Sequence, residues 1–197
     1  YHISVRMSSA SSNSAYIITT VYAPCDAHER QAFFEAMDST VQAVSEPWMV
    51  IGDFNMYRFT EEKSRGQVNW AMMDLFNGWI REHGLDEVDI SNRQFTWSNK
   101  RGCPTLVRLD RVLVNTEWLL GFIQTTASAV PAVTLDHIPI LVQFGSGTGK
   151  SKLFRMENHW LVMEDTGKII STGWSKGTRP FHSFASLISF KMRRVRA

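Results

Sequence analysis

Cysteine is scarce in this chain: Cys25 and Cys103 are the only two. Two thiols cannot build a disulfide framework, nor by themselves a four-ligand structural zinc site, and they point to a reducing compartment. Long apolar runs are missing as well. None approaches the roughly 18 residues of a membrane span, and the opening segment YHISVRMSSA has no apolar stretch of the secretory-signal kind. A nuclear or cytoplasmic protein is therefore expected, neither secreted nor membrane-bound. The first residue is not Met, so the chain is expected to begin inside a longer open reading frame. Internal repeats and low-complexity tracts are also lacking. What is present is ordinary for a globular protein: 197 residues, 44% of them hydrophobic and 20% charged. That is enough to bury the core of one domain without covalent staples, with length left for a tail.

The net charge of +2 hides an asymmetry. Residues 1–149 carry 11 Lys and Arg against 16 Asp and Glu, a balance of −5, whereas residues 150–197 carry 10 against 3, a balance of +7. The break falls at Gly145-Ser146-Gly147-Thr148-Gly149, a linker composition. The chain thus reads as a body over 1–145 and a linker with a poorly packed basic tail over 146–197. Such a tail is either a solvated extension or an electrostatic contact for nucleic acid. Gly147-Thr148-Gly149-Lys150-Ser151 imitates the end of a phosphate-binding P-loop, but the pattern needs glycine where Phe144 stands. Three linker glycines explain it better.

The hydrophobic period changes repeatedly along the body. Alternation predicts strands over 2–7 and 15–23, joined by the polar loop 8–14. Pro24 ends the second. Asp26 with Glu29 has capping-box spacing, and the apolar positions from Phe33 to Val44 repeat at helical intervals, predicting a helix over 27–45. The apolar run 48–52 predicts a strand buried on both faces. Residues 56–66 read as a loop, 67–83 as a second helix closed by Gly84, and 95–98 as a short strand. Further strands are predicted over 105–114, within 122–134 and over 138–144, with a helical turn at 116–120. Strands interleaved with two outer helices indicate a mixed α/β layered domain.

Polar residues gather at the predicted strand ends. Asp53 and Asn55 follow the buried strand; two residues apart on an extended segment they face one way while Phe54 packs inward. A carboxylate beside a carboxamide suits a hard cation or an activated water, or else merely caps a turn. Asp136-His137 opens the last strand and is either a proton-handling pair or a strand-end packing feature. Asp110 lies in an apolar strand and needs a partner: Arg108, Arg111 or a histidine, among which local sequence does not choose. Tyr22 and Thr96 could each donate to a phosphate oxygen or simply fill the core.

In order along the chain, Val21-Tyr22-Ala23-Pro24, Gly52-Asp53-Phe54-Asn55, Phe95-Thr96-Trp97, Arg108-Leu109-Asp110-Arg111 and Asp136-His137-Ile138-Pro139 resemble the motifs of the endonuclease/exonuclease/phosphatase superfamily. The likeness is closest to the endonuclease domain of plant LINE-type retrotransposons, for which Glu61-Glu62-Lys63, Phe95-Thr96-Trp97-Ser98-Asn99 and the segment 153–161 are typical. It covers about residues 1–161. It implies a two-layer β-sandwich flanked by helices, like deoxyribonuclease I, and a phosphodiesterase that uses Mg2+, or Mn2+ in its place. The partner implied is duplex DNA, held through its backbone by a monomer and nicked by metal-assisted hydrolysis.

Carried over to these positions, Asp53 activates the attacking water and Asn55 orients that water or the phosphate. His137 stabilises charge on the phosphate, and Asp110 holds the His137 imidazole. Asp53, Asn55 and Asp136 bind the metal, and Tyr22 and Thr96 hold phosphate oxygens. Asp53, Asn55, Asp110, Asp136 and His137 should then converge at one end of the sandwich. The sequence departs from the family at Cys25, where Asn is common, and at Leu135, where a small polar residue is usual. The family's amino-terminal strands, with an early Asn and a metal-binding Glu, have no counterpart. The resemblance thus implies a domain incomplete at its amino terminus, with impaired cleavage. The competing expectations are a non-catalytic nucleic-acid-binding remnant and a phosphatase of small phosphoesters.

Overall fold

A computed structural model describes residues 1–8, 15–41, 44–131 and 135–145, together with 168, 171 and 172. The chain divides into two compact units, Tyr1–Gly145 and Ser146–Ala197. The expected tail, including the basic run at its end, falls outside the described residues apart from those three positions.

The first unit is built on a five-stranded sheet. Its strands are β1 (His2–Ser8), β2 (Ala15–Tyr22), β3 (Trp48–Asp53), β4 (Asp86–Glu87) and β7 (Asp110–Val114), in the spatial order β1-β2-β3-β7-β4. β2 and β3 run parallel and the remaining pairs antiparallel. The β2–β3 connection carries helix α1 (Arg30–Val41), and α2 (Trp70–Glu82) leads into β4. Two hairpins, β5 (Trp97–Ser98) with β6 (Leu106–Val107) and β8 (Thr126–Ala129) with β9 (Ile140–Gln143), form a second layer; α3 (Thr116–Gly121) precedes β8. The result is an α/β sandwich.

Alternation along the strands sorts two cores. Trp48, Val50 and Leu113 face α1 and α2 and pack with Phe33, Phe34, Met37, Phe76 and Trp79. Met49, Val112 and Val114 face the second layer and pack with Trp118, Phe122, Ala127 and Ala129. Each fully buried apolar side chain of this kind contributes roughly 1.5–3 kcal/mol. The helix ends follow from side-chain chemistry. Asn69 caps α2 by accepting from the Met72 N–H (3.0 Å), and Asn115 caps α3 through Trp118 (2.9 Å) while also accepting from Trp48 (2.9 Å).

Two elements differ from the sequence-based expectation. Helix α1 begins at Arg30, because the Asp26 carboxylate accepts the His28 N–H in a turn of its own (2.9 Å) and Glu29 accepts the Tyr1 hydroxyl (2.9 Å), so no capping box forms. The apolar run 105–114 is two strands in two sheets. At Arg108 and Leu109 the backbone N–H groups turn aside to Glu62 O (2.9 Å) and Thr96 Oγ1 (3.0 Å), and the chain crosses from the hairpin layer into the main sheet.

Candidate active site

Strand register aligns the first elements of the site. Tyr22 is paired with Asp53, and Asp53 with Asp110, across β2, β3 and β7. By alternation all three side chains face the second layer, at the end of the sheet where β3 stops. His137 reaches the same place from that layer. It bridges Trp97, and the bridge is flanked by hydrogen bonds from Ser98 N to Asp136 O (3.0 Å) and from Ile138 N to Thr96 O (2.8 Å).

There His137 Nδ1 lies 2.9 Å from Asp110 Oδ2, and His137 Nε2 3.7 Å from Asp53 Oδ2. The imidazole thus sits between two carboxylates of the main sheet. Asp110 has taken the histidine and neither neighbouring arginine. Arg108 and Arg111 point away, into a buried cage with Arg58, Glu62 and Glu87. Arg111 is fully buried and pairs with both glutamates, Arg58 and Arg108 pair with Glu87 at 2.9 and 2.7 Å, and the Arg111 guanidinium lies over the Phe76 ring. The cage ties the loop that follows Asp53 to the strand that carries Asp110. Sequence reasoning missed it; the signal was Glu62, read only as a family mark, together with Arg108 and Arg111 inside an otherwise apolar run.

Asn55 adopts a left-handed backbone (φ 48°), which asparagine tolerates. Its backbone N–H donates to Asp53 Oδ1 (2.8 Å), its side-chain Nδ2 to Ala23 O (2.7 Å), and the amide is so held beside Asp53. The extended geometry expected of 53–55 is therefore a tight turn, forced by that carboxylate–amide bond, while Phe54 is fully buried. Gly52 has a φ of 145°, and a Cβ there would collide with the Val21 carbonyl oxygen.

Tyr22 is 64% exposed beside Asp53. Thr96 stands differently from its expected role. It is fully buried, and its hydroxyl oxygen accepts the backbone N–H groups of Leu109 and Asp110, both at 3.0 Å. It positions Asp110 and does not reach outward to a phosphate. Asp136 is exposed, and its Oδ1 accepts the His137 N–H (3.2 Å).

Electrostatics follow from this crowding. Burial pushes the Asp53 carboxyl up, and the Asp110 charge adds to the rise against the opposing Asn55 and His137 contacts. Burial acts to lower the His137 pKa, but the hydrogen bond and charge of Asp110, with Asp53 behind them, raise it overall. Asp136 is lowered, chiefly by its backbone hydrogen bonding, with His137 adding to the effect.

One ligand atom each from Asp53, Asp110 and His137 lies within 4.8 Å of the others, a carboxylate–imidazole set that fits a divalent cation. Burial, with the Asp110 charge behind it, lifts Asp53, and a cation there would offset both. Asp136 is not part of that set.

No protein-family model matches the sequence, and no curated protein matches it. Solved structures do. The chain is similar to the endonuclease domain of TRAS1, a telomere-specific non-LTR retrotransposon, with a TM-score of 0.59, 15% identity, and 73% of this chain and 63% of that one covered. It is similar to a 3′ phosphatase from Neisseria bound to a product DNA hairpin (TM-score 0.53, 16% identity, 68% and 62% covered). It is also similar to an endonuclease/exonuclease/phosphatase family protein from Leptotrichia buccalis (TM-score 0.54, 14% identity, 73% and 53% covered). This chain spans less than two thirds of the length of each. Its fold is that of the endonuclease/exonuclease/phosphatase proteins, a class of nucleases and phosphatases.

Proposed function

We propose that the chain is a divalent-metal-dependent phosphodiesterase that nicks DNA, of the kind encoded by non-LTR retrotransposons. The observation that carries the proposal is the meeting of Asp53, Asp110 and His137, from two strands and a separate layer, at one end of the sandwich. A retrotransposon endonuclease and a DNA-bound enzyme among the fold's relatives support the choice of substrate.

The residues divide the work. Asp53, a carboxylate set at the end of the sheet beside Asn55, takes the proton from an attacking water. Asp110 accepts the His137 Nδ1–H, which fixes the ring and favours its charged form. His137 Nε2–H, 3.7 Å from Asp53 Oδ2, then serves a phosphoryl oxygen bound beside Asp53 and offsets the charge that develops there. Asn55, clamped to Ala23, keeps its amide oxygen for the water or the cation. Asp53 and Asp110, with Asn55 beside them, would hold Mg2+, whose contribution when bound is to neutralise phosphoryl charge. Tyr22 flanks the site as a phosphate contact. So few carboxylates hold magnesium loosely, so slow turnover that rises with magnesium well into excess is expected.

The test is conversion of supercoiled plasmid to open circles with magnesium, by the wild type and by Asp53→Ala and His137→Ala. Slow nicking by the wild type, lost in both variants and in chelator, is expected. Equal nicking by all three proteins would remove the proposal. A second reading, hydrolysis of phosphomonoesters, is favoured by the phosphatase among the relatives and is read out in parallel by phosphate release from a 3′-phosphorylated oligonucleotide.

A further inference from the structure

Beside the site lies a cleft of about 510 Å³, reached past Asn55 and Trp97 and walled by Arg30, Lys63, Arg65 and Arg101. The volume suits a nucleotide-sized group. Among the described residues, no carboxylate lines it. The four cations come from three separate places: the start of α1, the loop 63–66 and the tip of the β5–β6 hairpin.

That clustering runs against the charge of the body. Residues 1–149 are net acidic and hold 11 basic side chains, of which Arg58, Arg108 and Arg111 are spent in the buried cage. Four of the other eight therefore meet in one cleft. Nor are these cations neutralised in place. Arg30 Nη2 donates to Cys25 O (2.9 Å), while its Nε is buried with no hydrogen-bond partner. Lys63 Nζ donates to Gln67 O (2.7 Å) and lies over the Tyr57 ring (5.5 Å). Arg65 and Arg101 are exposed, and neither is ion-paired to a carboxylate of the described residues. Concentrated, unneutralised positive charge with a low-dielectric wall draws a polyanion and raises its local concentration.

We infer that this cleft is a phosphate groove, holding the strand on one side of the scissile phosphodiester and selecting polynucleotides over isolated phosphoesters. The inference rests on the phosphodiesterase reading above and adds to it the residues that choose the substrate class. Arg65 and Arg101 act on binding; neither touches the reacting atoms.

The experiment uses the 197-residue chain and a short fluorescein-labelled duplex in chelator, with the dissociation constant followed against salt. Arg65→Ala/Arg101→Ala should bind more weakly, and the slope of log K against log salt should shrink by about 2, close to 0.9 for each phosphate that is no longer neutralised. Arg6→Ala/Arg81→Ala, with the same change in net charge placed elsewhere, should keep the wild-type slope. Hydrolysis of bis(4-nitrophenyl) phosphate with magnesium should be equal in all three proteins. Matching slopes for the two double variants would overturn the groove. If the wild type does not nick supercoiled plasmid with magnesium, the phosphodiesterase reading fails, and the slope comparison still decides the groove.

Discussion

Thr96 and Asp110 are joined by a hydrogen bond that carries no side-chain acid: the buried Thr96 hydroxyl oxygen accepts the Asp110 backbone N–H at 3.0 Å, and the Leu109 N–H at the same distance. Asp110 begins β7 just where the chain crosses between sheets, so its N–H has no ladder partner. One buried oxygen satisfies both donors and sets the height at which the Asp110 carboxylate meets His137.

Thr96→Val keeps the shape and removes the acceptor. Two part-buried N–H groups are left unpaired at about 1–3 kcal/mol each, so a loss of about 2–6 kcal/mol in urea unfolding is expected, with cleavage reduced beyond that. Thr96→Ser keeps the oxygen and loses one methyl, about 1 kcal/mol. If the valine variant is as stable as the serine variant, the two hydrogen bonds do not matter.

Gly52 makes the site possible from below. Its φ of 145° is a region that side chains rarely enter, and a Cβ would meet the Val21 carbonyl oxygen of the neighbouring strand. Gly52→Ala is expected to cost about 3 kcal/mol or more and to separate β2 from β3, which displaces Tyr22 from Asp53. Thermal unfolding checks this: a midpoint within a degree or two of wild type would show that the strands yield easily.

Much of this was legible in the residues. The continuous apolar run 48–52 reported a strand buried on both faces, the helical period within 67–83 reported a helix packed on one of them, and the polar residues at strand ends marked the place where those strands stop. What could not be read is pairing at a distance. Asp110 had three candidate partners within local reason, and only the register of β3 on β7, with His137 delivered from the other layer, chooses among them. Thr96 shows the same limit: a threonine at a strand looks alike whether its hydroxyl faces solvent or two backbone donors. The run 105–114 looked continuous because both of its halves are apolar, and hydropathy does not register a change of sheet.

Glu87 gives the fold an acid limit. It is buried among Arg111, Arg108 and Arg58, and although burial alone would raise it, their charges hold its carboxyl at about 2, against an ordinary 4.5. A carboxylate lowered on folding stabilises above its unfolded pKa, and that contribution is lost as pH falls through the folded value. Glu87 should thus add about 3 kcal/mol at neutral pH, withdrawn between pH 4.5 and about 2. Glu87→Gln is expected to be markedly less stable than wild type at pH 7, since it strands buried guanidinium charge, and the gap should narrow as pH falls through that window. A gap that stays constant from pH 7 to 2 would show that the cage does not depend on this carboxylate.

Asp53 stands in the opposite condition, and the contrast separates function from stability. Burial and the nearby Asp110 raise its pKa, so at neutral pH its charge is held against the fold's preference. The sign follows: a carboxyl raised on folding favours the protonated form, so its ionisation costs stability above the ordinary value of 3.8, and the cost vanishes as pH falls below it. Asp53→Asn removes the charge, keeps the shape and leaves an oxygen to accept the Asn55 N–H, now 2.8 Å away. In chelator the variant is expected to unfold at higher temperature than wild type at pH 7, and the advantage should fade towards pH 3. Magnesium should raise the wild-type midpoint by binding the native state and leave that of the variant nearly unmoved. DNA nicking by the variant should fall by about 100-fold or more, the scale of a lost general base. A variant less stable than wild type in chelator at pH 7 would mean that the Asp53 charge is already compensated within the fold, and that the site is not held ready for a cation.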